Sequence, residues 1–523
     1  MVRSMLKTLI RPEAYPDPVS SVSMVQTHVS WIFLTDRHAY KIKKPVDFGF
    51  LNFSTLDRRR FYCNEELRLN RRLCPDIYEA VVEVRRNETN GGACFFGNGQ
   101  IIDYAVRMKR LPADRMLDRL VRENRASKDD LRRVAGVIAR FHASAPTSPQ
   151  ISDHGDIERI TFNCQENFNQ IGPFCGQVIS DATLAAIRAW VEHFIAEKRE
   201  LFAQRVRDGF IRECDGDLHL ENICLETDQI HIFDCIEFND RFRCCDTAAD
   251  VAFLLMDLDY HGRSDLTEAV IDEYLSATGD GAFIELDLFY RIYRAFVRGK
   301  VESFLTLDSG IDEASQQQAL QRAGRYFRLA RGYVARMSLP PLLLITCGLM
   351  GSGKSTIARQ LAFELGLTVL RSDEIRKQRA GLAANSAARH AYGEGLYTAE
   401  HDAGTYDELF RKAGHLMGSG KTALIDASFI RRADRQRAAA LASAYGVRLV
   451  ILAPECPRQK LLERLARRED LGNDISDGRP ELLDRQISMS EPLSDDQGTI
   501  IRIPSDLTVE QAADLVYREM DRL

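Results

Sequence analysis

From Leu342 onward, short apolar runs alternate with amphipathic stretches. The runs Leu342–Gly348, Thr368–Arg371, Thr422–Asp426, Val447–Ala453 and Thr499–Pro504 predict strands. Helical spacing fills the gaps, and Val509–Met520 closes the chain. Regular alternation of strand and helix implies a parallel sheet covered on both faces. Residues 340–523 are therefore expected to form an α/β domain. The first 335 residues are patterned differently. Segments 22–46 and 78–109 alternate as strands with turns, whereas helical periodicity dominates beyond about residue 115. A hairpin near 223–234 interrupts it. This predicts an α+β domain over 1–335, with a small mixed lobe followed by a larger helical one. The boundary falls at RMSLPPL, residues 336–342, because Pro340 and Pro341 cannot continue the preceding helix, about Ala314–Arg336.

Residues Gly348 to Ser355 read GLMGSGKS, directly after the first strand of the α/β domain. A helix, Ser355–Leu365, follows and is closed by Gly366. G-x-x-x-x-G-K-[ST] between strand and helix is a phosphate-binding P-loop. Glycines let backbone N–H groups turn inward around a phosphate, and the helix adds its positive N-terminal end. Gly348, Gly351, Ser352, Gly353, Lys354, Ser355 and Thr356 are thus the candidate ATP-binding residues. Lys354 reaches the β/γ-phosphates and Ser355 holds Mg²⁺.

A near-copy tests this reading. LMGSGKT at 416–422 lacks the first glycine, because His415 stands there, and it follows a helix (Tyr406–Met417) and precedes a strand. Gly418 and Gly420 then read as a helix C-terminal stop and Lys421 as a solvated loop lysine.

Composition bounds the rest. The chain has 523 residues, 45% apolar and 28% charged, with a net charge of −6. That suits two to four domains and gives no global pull toward duplex nucleic acid or an anionic membrane. No apolar stretch approaches the roughly 18 residues of a transmembrane helix. The twelve cysteines include no C-x-x-C pair, so reduced, buried thiols in a cytoplasmic protein are expected.

A second phosphate-handling set lies at 211–239, IRECDGDLHLENICLETDQIHIFDCIEFN. Phosphoryl transfer to a hydroxyl needs a carboxylate to orient the nucleophile and oxygen ligands for Mg²⁺. Asp217 suits the first role, and Asn222 with Asp234 the second. The short strands Ile223–Leu225 and Ile230–Phe233 bring the two metal ligands together. This spacing resembles the catalytic loop of protein-kinase-like enzymes, particularly the aminoglycoside phosphotransferase family, in the core G-D-L-H-x-x-N from Gly216 to Asn222. The family's usual His is here Asp215, whose charge beside Asp217 is expected to raise a carboxylate pKa. The resemblance implies a strand lysine paired with a helix glutamate. In WIFLTDRHAYKIKKPV we assign Lys41, with Lys43 as the alternative, and in FYCNEELRLNRRL we assign Glu66. No Gly-rich loop precedes them, so Thr27 and Ser30 are expected to contact the nucleotide instead. Asp246 and Asp250 are expected to tie the catalytic loop to the helical lobe, with N-capping an equal reading for Asp246.

Over nearly its full length the chain resembles bacterial bifunctional aminoglycoside phosphotransferase/ATP-binding proteins. The stretches KKPVDFGFLNFSTLDRR, ELRLNRRLCPDIY, GDLHLENICL and FDCIEFNDRFR carry the likeness together with the P-loop half. That half also resembles polynucleotide-kinase-like and zeta-toxin-like kinases. The likeness implies that Asp373, in RSDEIRK, is a general base, and Arg376, one turn on, is placed to bind the acceptor or its phosphate. Asp426, ending the strand TALID, can hold Mg²⁺ through water; N-capping competes for both aspartates. On the helix Cys456–Asp470, Arg464 and Arg468 share a face, as lid arginines over a γ-phosphate do. The expected activity is Mg²⁺- and ATP-dependent phosphoryl transfer to a hydroxyl on a small molecule or a nucleic-acid end. The alternatives are a nucleotide switch with one degenerate site, and AMP transfer by the first domain.

Overall fold

The computed structural model describes residues 2–88, 91–307, 312–381, 399–471, 480–494 and 498–522. Two compact units emerge. One comprises Met1–Val178 with Arg188–Phe327, the other Ile179–Ile187 with Arg328–Leu523.

The first unit begins with a six-stranded antiparallel sheet. Its strands are β1 (Ser23–Gln26), β2 (Ser30–Leu34), β3 (His38–Lys43), β4 (Tyr78–Arg86), β5 (Ala93–Cys94) and β6 (Ile101–Lys109), ordered β1-β2-β3-β6-β4-β5. Alternation in β2 and β3 sends Trp31, Phe33, Tyr40 and Ile42 into one core with Tyr15 and Phe95. The helix Leu56–Asn70, N-capped by Thr55, packs against β4 and β6. Beyond Leu117 the unit is mainly helical. The helix Thr247–Tyr260 is apolar nearly all round and is buried along its whole length, as its composition requires. Two short antiparallel ladders flank the candidate catalytic loop, 214–222: β7 (Ile211–Glu213) with β10 (Cys244–Asp246), and β8 (Ile223–Leu225) with β9 (Ile230–Ile232). This is an α+β architecture, a part built on a six-stranded sheet followed by a larger helical part.

The second unit holds a five-stranded, wholly parallel sheet. Its strands β11 (Leu342–Thr346), β12 (Val369–Arg371), β13 (Ala423–Asp426), β14 (Arg448–Glu455) and β15 (Thr499–Pro504) are ordered β12-β13-β11-β14-β15. All five strands fall where the apolar runs place them, with no end shifted by more than two residues. Separate cores cover the two faces of the sheet. This is a P-loop NTPase sheet.

The boundary in contacts lies within the helix Glu313–Ser338, not at the prolines that follow it. The prolines do end that helix, but packing assigns its last turns. Ala335 belongs to a core with Leu344, Leu361 and Val516. A side chain at Gly332 would collide with the Glu364 backbone. Arg328 pairs with Glu364 at 2.7 Å and with Asp514, and Asp514 also accepts from Ser180 and Thr183 at 3.1 and 3.2 Å.

Candidate functional site

In the first unit, β3 presents Lys41 and Lys43 on one face, two residues apart as the strand period requires. Both reach Glu66 of the Leu56–Asn70 helix: Lys41 at Oε1 (2.8 Å), Lys43 at Oε2 (2.6 Å). Lys41 also pairs with Asp234, and Lys43 with Glu237. The structure thus joins Lys41, Glu66 and Asp234, and adds Glu237, which no local spacing distinguishes from other glutamates of the chain. Burial works against the charge of Glu66, yet the two lysines outweigh it and hold its carboxyl low. At Glu237 burial wins and pushes the carboxyl up, with Lys43 offsetting only part. Two lysines facing three carboxylates leave a net negative corner when all are ionised, which suits a divalent cation.

Asp234 follows β9 with φ +67, a conformation uncommon outside glycine. Its N–H donates to the Tyr78 hydroxyl at 3.2 Å. The backbone is thereby held so that the carboxylate faces Lys41, 41% exposed.

The catalytic loop is fixed from several sides. The Asp250 carboxylate accepts the N–H groups of Asp215 (3.1 Å) and Gly216 (2.8 Å), and Arg294 donates to the Gly216 carbonyl (3.0 Å). Gly216 has φ +87, and a Cβ there would lie 2.9 Å from the Phe242 carbonyl oxygen. Asp250 therefore ties the loop to the helical lobe, as expected. Asp246 caps the helix Thr247–Tyr260 through the Ala248 N–H (2.8 Å) and pairs with Arg205. Asp217 and Asn222 meet through an Nδ2–Oδ2 bond of 3.2 Å, and His219 Nε2 lies 3.4 Å from the same Asp217 oxygen. Burial opposes ionisation of Asp217, but His219 outweighs it and holds the carboxyl below its usual range. Asp215, the replacement for the family histidine, is pushed well up. Burial is the main cause and repulsion from Asp250 and Asp217 comes next. His142, Cys214 and Asp250 cluster closely enough for a metal. However, His142 already spans Tyr274 (2.9 Å) and Asp250 (3.1 Å), and Asp250 holds the loop amides. Hydrogen bonding accounts for that set.

The missing Gly-rich loop is a hairpin turn closed by a hydroxyl. Thr27 Oγ1 accepts the Ser30 N–H at 3.0 Å, and Ser30 is fully buried. The exposed Thr27 hydroxyl is thus engaged within the turn, and the Ser30 Oγ is buried without a hydrogen-bond partner.

In the second unit the loop after β11 has φ +147, +77 and +107 at Gly348, Gly351 and Gly353, which a side chain at any of the three would strain. The helix Lys354–Leu365 starts from Gly353 with no side-chain cap, and it ends at Gly366 with φ +62. Lys354 Nζ donates to the Leu349 carbonyl at 2.6 Å. Ser352 Oγ is buried without a hydrogen-bond partner. An uncapped helix start, a glycine cradle and an orphaned hydroxyl together fit a phosphate. Ser355 is the second residue of this helix and half-buried, while Thr356 is exposed.

Register places Arg371 of β12 beside Asp426 of β13, at the carboxyl edge of the sheet where ligands of α/β folds bind. Asp426 is buried, with Thr346 Oγ1 at 3.3 Å and Arg371 Nε at 3.5 Å. Asp373, in the first turn of the helix Ser372–Arg379, pairs with Arg376 at 2.8 Å, and Arg376 also pairs with Asp402 at 3.1 Å. Neither aspartate is an N-cap; both following helices start from arginines. Arg464, on the helix Arg458–Leu471, donates to the Gly351 and Ser352 carbonyls, both at 3.3 Å. It is brought to the loop as expected, and here it braces the loop's carbonyl side. The side chain of Arg468 lies outside the described residues. Gln486 takes the Met350 N–H at 2.7 Å. Local patterning gave no sign of it, because it comes from a helix far along the chain. The near-copy is a helix stop: Gly420 has φ +73, and the Gly420 and Lys421 N–H groups return to Met417 and Leu416.

The AAA domain family matches residues 343–493. Uncharacterized proteins of Mycobacterium tuberculosis and Mycobacterium bovis are each 30% identical over 408 residues, covering 78% of this chain and 78% of theirs. The chain belongs to their family. An alignment of that length spans parts of both units. Among solved structures, a choline/ethanolamine kinase family protein from Mesorhizobium loti is 11% identical with a TM-score of 0.36, covering 63% of this chain and 99% of that one. A gluconokinase from Sinorhizobium meliloti is 17% identical with a TM-score of 0.26, covering 35% of this chain and 93% of that one. No helix among the described residues is long and apolar enough to cross a membrane, and all twelve cysteines are free thiols.

Proposed function

We propose that the protein is an ATP-dependent phosphotransferase with two nucleotide sites, acting on hydroxyl acceptors in the cytoplasm. The P-loop carries this reading: a glycine cradle and an orphaned buried hydroxyl stand before an uncapped helix, with two carboxylates at the neighbouring strand ends. Lys354 would lie along the phosphates once released from Leu349. Asp373, oriented by Arg376, would take the acceptor proton. In the first unit, Asp217 would orient the acceptor hydroxyl and receive its proton, while Lys41, held by Glu66, would position the phosphates. Ser355 and Asp426 in one site, and Asn222 and Asp234 in the other, would hold Mg²⁺, which offsets phosphate charge when bound. A switch remains the second reading, favoured by the hydroxyl-closed turn that replaces a Gly-rich loop.

Full-length variants test the P-loop site. Lys354→Ala is expected to weaken one of two ATP-binding events at least tenfold in calorimetry, and Lys421→Ala to leave both unchanged. Equal losses would refute the distinction between motif and near-copy. Asp373→Asn should lower turnover at this site by roughly 10²–10⁴-fold with ATP affinity retained. Near-normal turnover on the acceptor would remove Asp373 from the role.

A further inference from the structure

The segment that leads away from Asp234 is stacked on the catalytic loop. Ile236 N–H donates to the Asp215 carbonyl and Cys214 N–H to the Arg243 carbonyl, both at 3.1 Å. Phe242 presses its backbone on Gly216, the residue before Asp217. On its outer side this segment carries aromatic rings that meet a loop from the small lobe. The Phe50 ring lies 6.2 Å from both Phe238 and Phe242, and Phe48 stacks on Phe50 at 6.1 Å. Asn239 donates to the Phe50 carbonyl at 3.0 Å, which fastens the two pieces together. Arg241 continues the surface, its guanidinium 4.9 Å from the Phe242 ring and 5.4 Å from that of Phe162. Phe48, Phe50 and Phe162 are 49%, 43% and 55% exposed. Several phenylalanines gathered in water, on and around a segment hydrogen-bonded to the loop that carries Asp217, forgo a burial gain, and such patches mark binding surfaces.

Charge selects the occupant. A polycationic acceptor would need available carboxylates, but Glu166 pairs with Arg241 at 2.6 Å, Asp240 with Arg243, and Glu237 with Lys43. A single quaternary cation would meet like charge, because the Arg241 guanidinium already lies over Phe162 and Phe242. We propose that this aromatic face is the acceptor subsite of the first unit and takes a neutral alcohol with an aromatic body, an inference that rests on the transfer reading of that unit. In the reaction the acceptor oxygen bonds to the γ-phosphorus and the bond to the β,γ-bridging oxygen breaks. ADP leaves, and the hydroxyl proton passes to Asp217.

The test uses the full chain carrying Lys354→Ala, so that transfer by the P-loop site is suppressed. Phenyl β-D-glucoside, thymidine and 2-phenylethanol serve as neutral aromatic probes, with kanamycin and choline as cationic comparators. Product mass and ADP release are read together. At least one neutral probe should gain a phosphoryl group, and neither cation should. Adding Phe48→Ser and Phe50→Ser should raise the probe's KM at least tenfold with the KM for Mg-ATP unchanged, and tyrosine at both positions should restore it. Modification of a cationic comparator instead, a KM indifferent to the serines, or no modified probe from an enzyme that binds Mg-ATP would each overturn the proposal. Absence of Mg-ATP binding in the Lys354→Ala chain would instead overturn the transfer reading, and the subsite with it.

Discussion

Asp217→Asn in the full chain is expected to lower transfer by the first unit by roughly 10²–10⁴-fold while leaving Mg-ATP affinity nearly intact. The reason is the geometry of the loop. Asp217 contacts His219 and Asn222 but is not part of the Lys41–Glu66–Asp234 network. Asparagine keeps its shape and can still accept from Asn222, but it cannot take a proton. Asp234→Asn is expected to act differently, because it removes a charge from the corner that would hold the metal. It should weaken Mg²⁺-dependent nucleotide binding itself, and by more than it weakens binding without metal. Single-turnover transfer and calorimetry on a Lys354→Ala background separate the two. If Asp217→Asn is silent in transfer while Asp234→Asn alters the activity of the P-loop unit, the switch reading replaces the transfer reading.

The second large effect concerns stability. Glu364 is fully buried, and Arg328, itself 7% exposed, grips both of its oxygens at 2.7 and 2.8 Å. Arg328→Met would strand a buried carboxylate, a loss of about 3–5 kcal/mol for such pairs. Replacing both partners, Arg328→Met with Glu364→Leu, should recover part of it, because the fully buried carboxylate is then gone, whereas Asp514 loses Arg328 but is partly exposed and keeps Ser180 and Thr183. Denaturant unfolding followed by a probe in the P-loop unit checks this. A shift below about 1 kcal/mol in the single variant would show that Glu364 finds another partner or a proton. The same pair bears on dissection of the protein. A fragment cut at 340 loses Arg328, Gly332 and Ala335, so it should be markedly less stable than the intact chain.

Contiguous features were legible in the sequence because their chemistry is local. The P-loop needs only a strand, glycines at fixed offsets and a helix, all within neighbouring residues. The five parallel strands follow from apolar runs bounded by polar turns. The near-copy at 416–422 could be set aside for the same reason: helix before strand is visible in the order of residues. Within the catalytic loop, Asp217 and Asn222 are five residues apart and meet through a short turn, so spacing alone brought them together.

Tertiary structure decided what distant segments contribute. Lys41 and Lys43 share a strand face, and no local pattern distinguishes them; the fold does, by setting Asp234 beside one and Glu237 beside the other. Asp215 reads as a like-charge neighbour of Asp217, but burial, which no sequence spacing reports, is the larger reason that its carboxyl is pushed up. Prolines correctly mark a helix end, yet the boundary between units moved upstream because Gly332, Ala335 and Arg328 pack with residues beyond the prolines. Gln486 and Arg464 reach the P-loop from helices more than a hundred residues further along the chain. Sequence by itself determined which chemistry each segment can carry. The folded chain determined which groups meet, because burial and charge pairing depend on neighbours that are remote in sequence.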